Sequence, residues 1–137
     1  MLRSVNAALC AKRIRMNIQK FSKLTNVSAH TIRYYEKIGL LKNIGRNESG
    51  HRSFTSKDID WISFVKRLKD MGMPLNNIQQ YADLREKGKS TSELRKQLLE
   101  NHVLVVEEKI AIEFQHLQKI KEKIDYYNEI INSTKKG

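Results

Sequence analysis

The sequence predicts a mainly α-helical protein in which a small winged helix-turn-helix domain precedes one long helix that self-associates as a coiled coil. Three observations lead to this reading. Two short amphipathic segments flank a tight turn near the N-terminus; positive charge is concentrated in that same half; and the stretch from about Thr91 to Ile131, free of Gly and Pro, repeats its apolar residues at steps of three and four. A chain of 137 residues holds one modest core and an extended element, so two full globular domains are not expected.

In chain order, Met16 opens the patterned part. Residues 1–15 have no cap and no clear continuation and read as an extension, either a disordered or foreign upstream segment or a basic arm. Asn17 is placed to cap a first helix carrying Ile18, Phe21 and Leu24 on one face, and Thr25 to Val27 forms the turn. Ser28 caps a second helix that runs to about Ile38, packs Ile32 and Tyr35 inward, and stops at Gly39. Residues 42–54 (KNIGRNESGHRSF) lack a helical period and contain two Gly, so they predict a two-stranded hairpin with Phe54 as a core plug beneath it. Ser56 is expected to cap a third helix through Met71, with Ile59, Ile62 and Val65 inward and Trp61, Phe64 and Leu68 around them. Gly72 ends it, Pro74 starts a fourth helix bearing Leu75, Ile78, Tyr81 and Ala82, and Gly88 to Ser90 breaks the chain again.

From about Thr91 to Ile131, Val103, Val106, Ile110, Leu117, Ile120, Ile124, Tyr127 and Ile131 form a seam in which Glu113 is the only polar member. Such a helix is on the order of 60 Å long. A domain this small cannot cover the stripe, and no second long helix exists to fold back on it, so a second copy in parallel or antiparallel array is the expected partner. The domains are therefore 1–15 (extension), 16–87 (winged helix-turn-helix) and 88–137 (dimerisation helix).

Charge assigns a partner to the first of these modules. Residues 1–57 carry 12 Lys and Arg against Glu36 and Glu48, a net of +10, whereas residues 58–137 carry 14 against 13. Without the extension the net charge of residues 16–57 is still +6. General solubility gives no reason for such segregation; a phosphate-binding module joined to a neutral association module does. Nucleic acid is thus favoured over a membrane. The single cysteine, Cys10, permits no intramolecular disulfide and no thiolate cluster, and a reducing cytoplasm is the simplest compartment. No run of 18 apolar residues predicts a membrane span.

On the second helix, Ser28, His30, Thr31, Arg33, Tyr34 and Lys37 are left outward by the Ile32/Tyr35 face and supply donors for base edges and phosphates. Tyr34 and Tyr35 point about 100° apart, which gives Tyr35 to packing and Tyr34 to phosphate contact. On the hairpin, Arg46, Asn47, His51 and Arg52 can reach the backbone or a minor groove. The histidines His30, His51, His102 and His116 include no i, i+4 pair, and Glu113 with His116 alone does not make a metal centre, so no metal or cofactor is expected. No Gly-rich phosphate loop or nucleophile elbow is present, and the chain is not expected to be an enzyme.

The run Thr31-Ile32-Arg33-Tyr34-Tyr35-Glu36-Lys37-Ile38-Gly39-Leu40-Leu41, followed by Arg46-Asn47-Glu48-Ser49-Gly50-His51-Arg52 and Phe54, resembles the N-terminal signature of the MerR family. Trp61, Phe64, Leu68, Gly72 and Met73 continue the resemblance, which covers residues 16 to about 131. It implies a homodimer with an antiparallel coiled coil, each protomer placing its second helix in a major groove of promoter DNA with the wing alongside. It also implies a regulator that bends and untwists an over-long promoter spacer for RNA polymerase, with Arg33, Tyr34, Arg46 and Arg52 as contacts. Residues ISFVKRLKDMGMPL and YADLREKG are most similar to the aldehyde- and thiol-stress branch, yet Arg67 stands where that branch commonly has cysteine, and the cysteines of metal-sensing members are missing. The chain stops just after the coiled coil, so no C-terminal ligand-binding domain is expected. An architectural DNA-bending protein and a coiled-coil scaffold with a basic tether are the alternative readings.

Overall fold

The computed structural model describes residues 15–136. The first helix, α1 (Ile18–Thr25), starts at Asn17, whose side-chain oxygen accepts the Lys20 N–H at 2.9 Å. It ends at Asn26, which adopts φ 57°, a left-handed conformation that Asn tolerates better than branched residues. Two hydroxyls tighten the turn that follows: Thr25 donates to the Phe21 carbonyl at 2.7 Å and Ser22 to the Val27 carbonyl at 2.6 Å. The second helix, α2 (Ala29–Lys37), begins at Ser28, whose Oγ accepts the Thr31 N–H at 3.1 Å. After it, Gly39 sits at φ 83°, and the N–H groups of Leu40 and Leu41 both reach back to the Tyr35 carbonyl, which drops the two leucines into the core.

The hairpin consists of β1 (Gly45–Arg46) and β2 (Arg52–Ser53), antiparallel, with Gly45 opposite Ser53 and Arg46 opposite Arg52. Its base is tied to the residue ahead of α1: Met16 and Phe54 exchange N–H···O bonds of 2.9 and 2.8 Å. Met16 thus belongs to the wing as well as to the start of the helical pattern.

One expected cap is displaced by a residue. The third helix, α3 (Ser56–Asp70), is capped by Thr55, which has extended dihedrals, and not by Ser56, which is buried as the first helical residue. The Asp58 carboxylate selects Thr55, accepting its N–H at 2.9 Å and its hydroxyl at 3.2 Å. Met71 is the C-cap and not part of the helix. The fourth helix, α4 (Leu75–Glu86), follows Pro74, and Gly88 at φ 90° leads into a 3₁₀ turn, Lys89–Thr91. Ile78 and Ala82 of α4 are buried as expected, but Leu75 at its first turn is exposed. Three polar ties hold α4 to the segment after α2: Lys42 to Asp83 at 2.7 Å, Asn43 to Glu86 at 2.6 Å, and Gln79 to the Ile38 carbonyl at 3.1 Å.

The core gathers Phe21, Ile32, Leu40, Phe54, Ile59, Ile62, Val65, Leu68 and Ile78, all essentially inaccessible. Phe21 and Phe54 stack face to face, centroids 4.1 Å apart and planes within 7°. Trp61 is also buried, and its indole N–H donates to the Leu40 carbonyl at 2.6 Å, so that this donor keeps a partner away from water.

The last helix, α5, runs unbroken from Ser92 to Lys136. The chain divides into two compact units, one reaching Leu98 and the other starting at Leu99. Within the second, Val103, Ile110, Leu117, Ile120, Ile124, Tyr127 and Ile131 are exposed and Val106 is half-buried. Leu104, Val105, Ile112, Phe114, Tyr126 and Ile130, which lie off that seam, are exposed as well. No described helix is long and apolar enough to cross a membrane.

Candidate nucleic-acid interface

The structure assigns different duties to the residues expected on α2. Ser28 spends its hydroxyl on the helix start: it accepts the Thr31 N–H and donates to Thr31 Oγ at 2.9 Å, so Ser28 and Thr31 are engaged with each other. His30, Arg33 and Lys37 are exposed, and no ion pair holds them among the described residues. The two adjacent tyrosines separate: Tyr34 is 45% exposed and Tyr35 only 5%, which places Tyr35 in the packed layer.

On the wing, the Asn47 side-chain oxygen accepts the N–H groups of Ser49 and His51, both at 3.0 Å, and its backbone bonds to His51 and Gly50 close the loop. Asn47 therefore shapes the hairpin tip, and only its amide NH₂ is left to meet another molecule. Gly50 provides the φ of 80° that this tip requires. Arg46, Asn47, His51 and Arg52 share with Arg33 a cleft of about 480 Å³, closed on its other side by Asn17, Ile18 and Gln19 from the start of α1. His30, Tyr34 and Lys37 do not line it.

Sequence reasoning missed two participants. Glu36, on the last turn of α2, takes Arg52 Nε on one carboxylate oxygen at 2.6 Å and Arg46 Nη2 on the other at 3.5 Å. Spacing gives no hint of a contact across 16 residues; the one available signal was an isolated acid inside a basic block. The second is Arg15, assigned above to the extension: a Cβ added at Gly45 would lie 2.6 Å from its guanidinium, so this cation stands beside β1. The remainder of the extension, with Cys10, lies outside the described residues. Among those described, no group of three His, Cys, Asp or Glu is arranged to hold a metal ion.

The surface formed by the cleft and the outer side of α2 offers guanidinium, amide and imidazole donors, with the Glu36 carboxylate between Arg46 and Arg52. Such a surface attracts polyanions, and its donors can also read hydrogen-bond acceptors on base edges.

Comparison with known proteins agrees with that chemistry. A model of the MerR HTH family of regulatory proteins matches residues 16–85, and a second, described as MerR, DNA binding, matches residues 59–126. The chain is 38% identical over 110 residues to an uncharacterized HTH-type transcriptional regulator of Haemophilus influenzae, an alignment covering 80% of this chain and 82% of that one. It is 37% identical over 84 residues to the HTH-type transcriptional regulator AdhR of Bacillus subtilis, covering 61% of this chain and 60% of AdhR. Among solved structures it is similar to HiNmlR, described as a MerR family regulator lacking the sensor domain and bound to promoter DNA, with TM-score 0.74, 36% identity, and coverage of 85% and 92%. With the helix-turn-helix, the wing and the basic cleft in place, this chain belongs to the MerR family of DNA-binding transcriptional regulators and is not an enzyme.

Proposed function

We propose that the protein binds a palindromic promoter site as a homodimer, inserting α2 in successive major grooves with each wing over the flanking backbone. The observation that carries this reading is the convergence of Arg33 from α2 with Arg46, His51 and Arg52 from the wing on one cleft. Arg33 and His30 reach for base edges, Tyr34 and Lys37 for phosphates, and the wing cations for the backbone or minor groove. At the N-terminus of α2, where a phosphate is also favoured, Thr31 keeps its hydroxyl proton to donate while Ser28 is committed to the cap.

Self-association runs through the exposed seam of α5, Val103 to Tyr127, in antiparallel array, as the family resemblance implies. A fixed distance between the two reading heads would let the dimer bend and untwist a promoter whose −35 and −10 elements lie too far apart, so that RNA polymerase engages both. A role in an aldehyde- or oxidative-stress response follows from the resemblance of ISFVKRLKDMGMPL and YADLREKG to that branch of the family. Arg67, exposed on α3, stands at the position that would have to carry that branch's thiol, so the effector is absent, non-thiol, or sensed by a partner.

Mapping the genomic sites bound by the full-length protein, followed by footprinting and circular-permutation bending assays on one of them, tests the reading. A protected, two-fold symmetric site whose spacer is bent is the expected result. Sequence-independent binding that disappears at moderate salt would overturn it.

A further inference from the structure

We infer that Glu36 is a specificity-determining positioning residue: it holds the wing arginines Arg46 and Arg52 in a fixed relation to α2 and releases them only to phosphates that arrive in the correct place. The inference rests on the DNA-binding reading of the cleft and goes beyond it, since it concerns the one acidic side chain at the heart of a surface meant for a polyanion.

The physical argument begins with the apparent cost. A carboxylate among phosphate-binding cations repels the ligand and cancels a positive charge, so a surface tuned for affinity alone would not place one there. Glu36 does not point idly into solvent: its side chain is 24% exposed, and both of its oxygens are committed, one to each strand of the hairpin. The hairpin itself has only two residues per strand, so its backbone ladder does little to fix where its guanidiniums point. Glu36 supplies that order from outside, tying β1 and β2 to the last turn of the helix that enters the groove.

Pre-ordered cations can be exchanged from carboxylate to phosphate with a like-for-like replacement of charge-assisted bonds. That exchange succeeds where the DNA backbone passes the wing at the distance set by α2 in the groove. On other DNA the phosphates must first pull an arginine off Glu36 and then face the bare carboxylate. Discrimination thus arises from backbone position and deformability, not from an added base contact.

The test uses the full-length dimer and compares an operator duplex with a scrambled duplex of equal length, by fluorescence anisotropy across a salt series, for wild type, Glu36→Gln, Glu36→Ala and Glu36→Asp. For Glu36→Gln and Glu36→Ala the scrambled duplex should bind about 3–10-fold tighter, with a log–log salt slope steeper by roughly one phosphate contact. The operator-to-scrambled ratio should fall by about tenfold or more. Glu36→Asp, which keeps the charge on a shorter arm, should recover part of that ratio. In the free protein, the Arg52 Nε proton should exchange faster with water in Glu36→Gln than in wild type, a readout that a general loss of stability without wing release would not move. If Glu36→Ala does not fold, Glu36→Gln and Glu36→Asp carry the comparison. A ratio unchanged within about twofold in the Gln variant, with wild type still selective, would overturn this inference alone; a wild type that fails to discriminate would overturn the functional reading and this inference with it.

Discussion

Replacing Phe54 by Ala tests whether the wing is anchored in the core in the way the reading head requires. The ring is fully inaccessible, stacked on Phe21 at 4.1 Å, and its backbone is bonded in both directions to Met16. Deleting a buried Phe side chain typically costs about 3–5 kcal/mol, and transfer of its roughly 150–200 Å² from water at ~25 cal/mol per Å² gives a similar figure. For a unit of this size each kcal/mol lowers the melting temperature by roughly 4–8 °C, so a drop of at least about 12 °C is expected. Phe54→Leu, which keeps much of the volume but loses the stack, should cost about 1–2 kcal/mol. Urea and thermal unfolding followed by tryptophan fluorescence provide the assay, because Trp61 is the only tryptophan and lies buried in the same core, whereas the helical signal would be dominated by α5. A loss below about 1 kcal/mol at unchanged denaturant dependence would mean that Phe54 does not plug the core, and that the wing is held by other means.

Other substitutions address the remaining parts. Changing Arg33 and Arg52 together to Ala should abolish operator binding in a gel-shift assay while sedimentation still gives a dimer; unchanged affinity would show that the wrong face was chosen. Ile120→Asp, in the middle of the exposed seam, should produce monomers, and an intact dimer in sedimentation would refute the register. Asp58→Ala should destabilise the first unit by about 0.5–2 kcal/mol in urea unfolding by removing the acceptor of the Thr55 N–H; an effect near zero would place the cap of α3 elsewhere.

Much of the architecture was legible because it depends on local chemistry. Asn17 and Ser28 cap the helices they were expected to cap, since a short oxygen-bearing side chain can satisfy an N–H three residues on whatever lies farther away. Gly39 and Gly88 mark breaks through their positive φ, and the period of Ile32 and Tyr35 identifies the inward face of α2. The error at Thr55 shows the limit of such reasoning: Thr55 and Ser56 are both capable caps, and the choice fell to Asp58, which forms its bonds with Thr55. Of the apolar residues that α4 carries, Ile78 and Ala82 are buried and Leu75 is exposed, because one apolar residue at a helix start does not fix a face.

The candidate site divides in the same way. Its cationic residues could be named from the charge of the block that contains them, yet what each one does depends on neighbours far along the chain. Asn47 and Ser28 turn out to hold backbone, and Arg46 and Arg52 are gathered by Glu36. A carboxylate on a helix and guanidiniums on a hairpin carry no common spacing, so nothing in the order of residues could have joined them.

By itself the sequence determined that this chain makes short capped helices, a hairpin and one long helix, with positive charge in the first half, because capping, periodicity and charge act over a few residues. Only the tertiary structure decided that Phe54 stacks on Phe21, that Met16 closes the wing, and that Glu36 lies between two arginines. Those contacts form when the core buries its apolar faces and brings distant segments within bonding distance, and the energy that drives that collapse is indifferent to the separation of the partners in the chain.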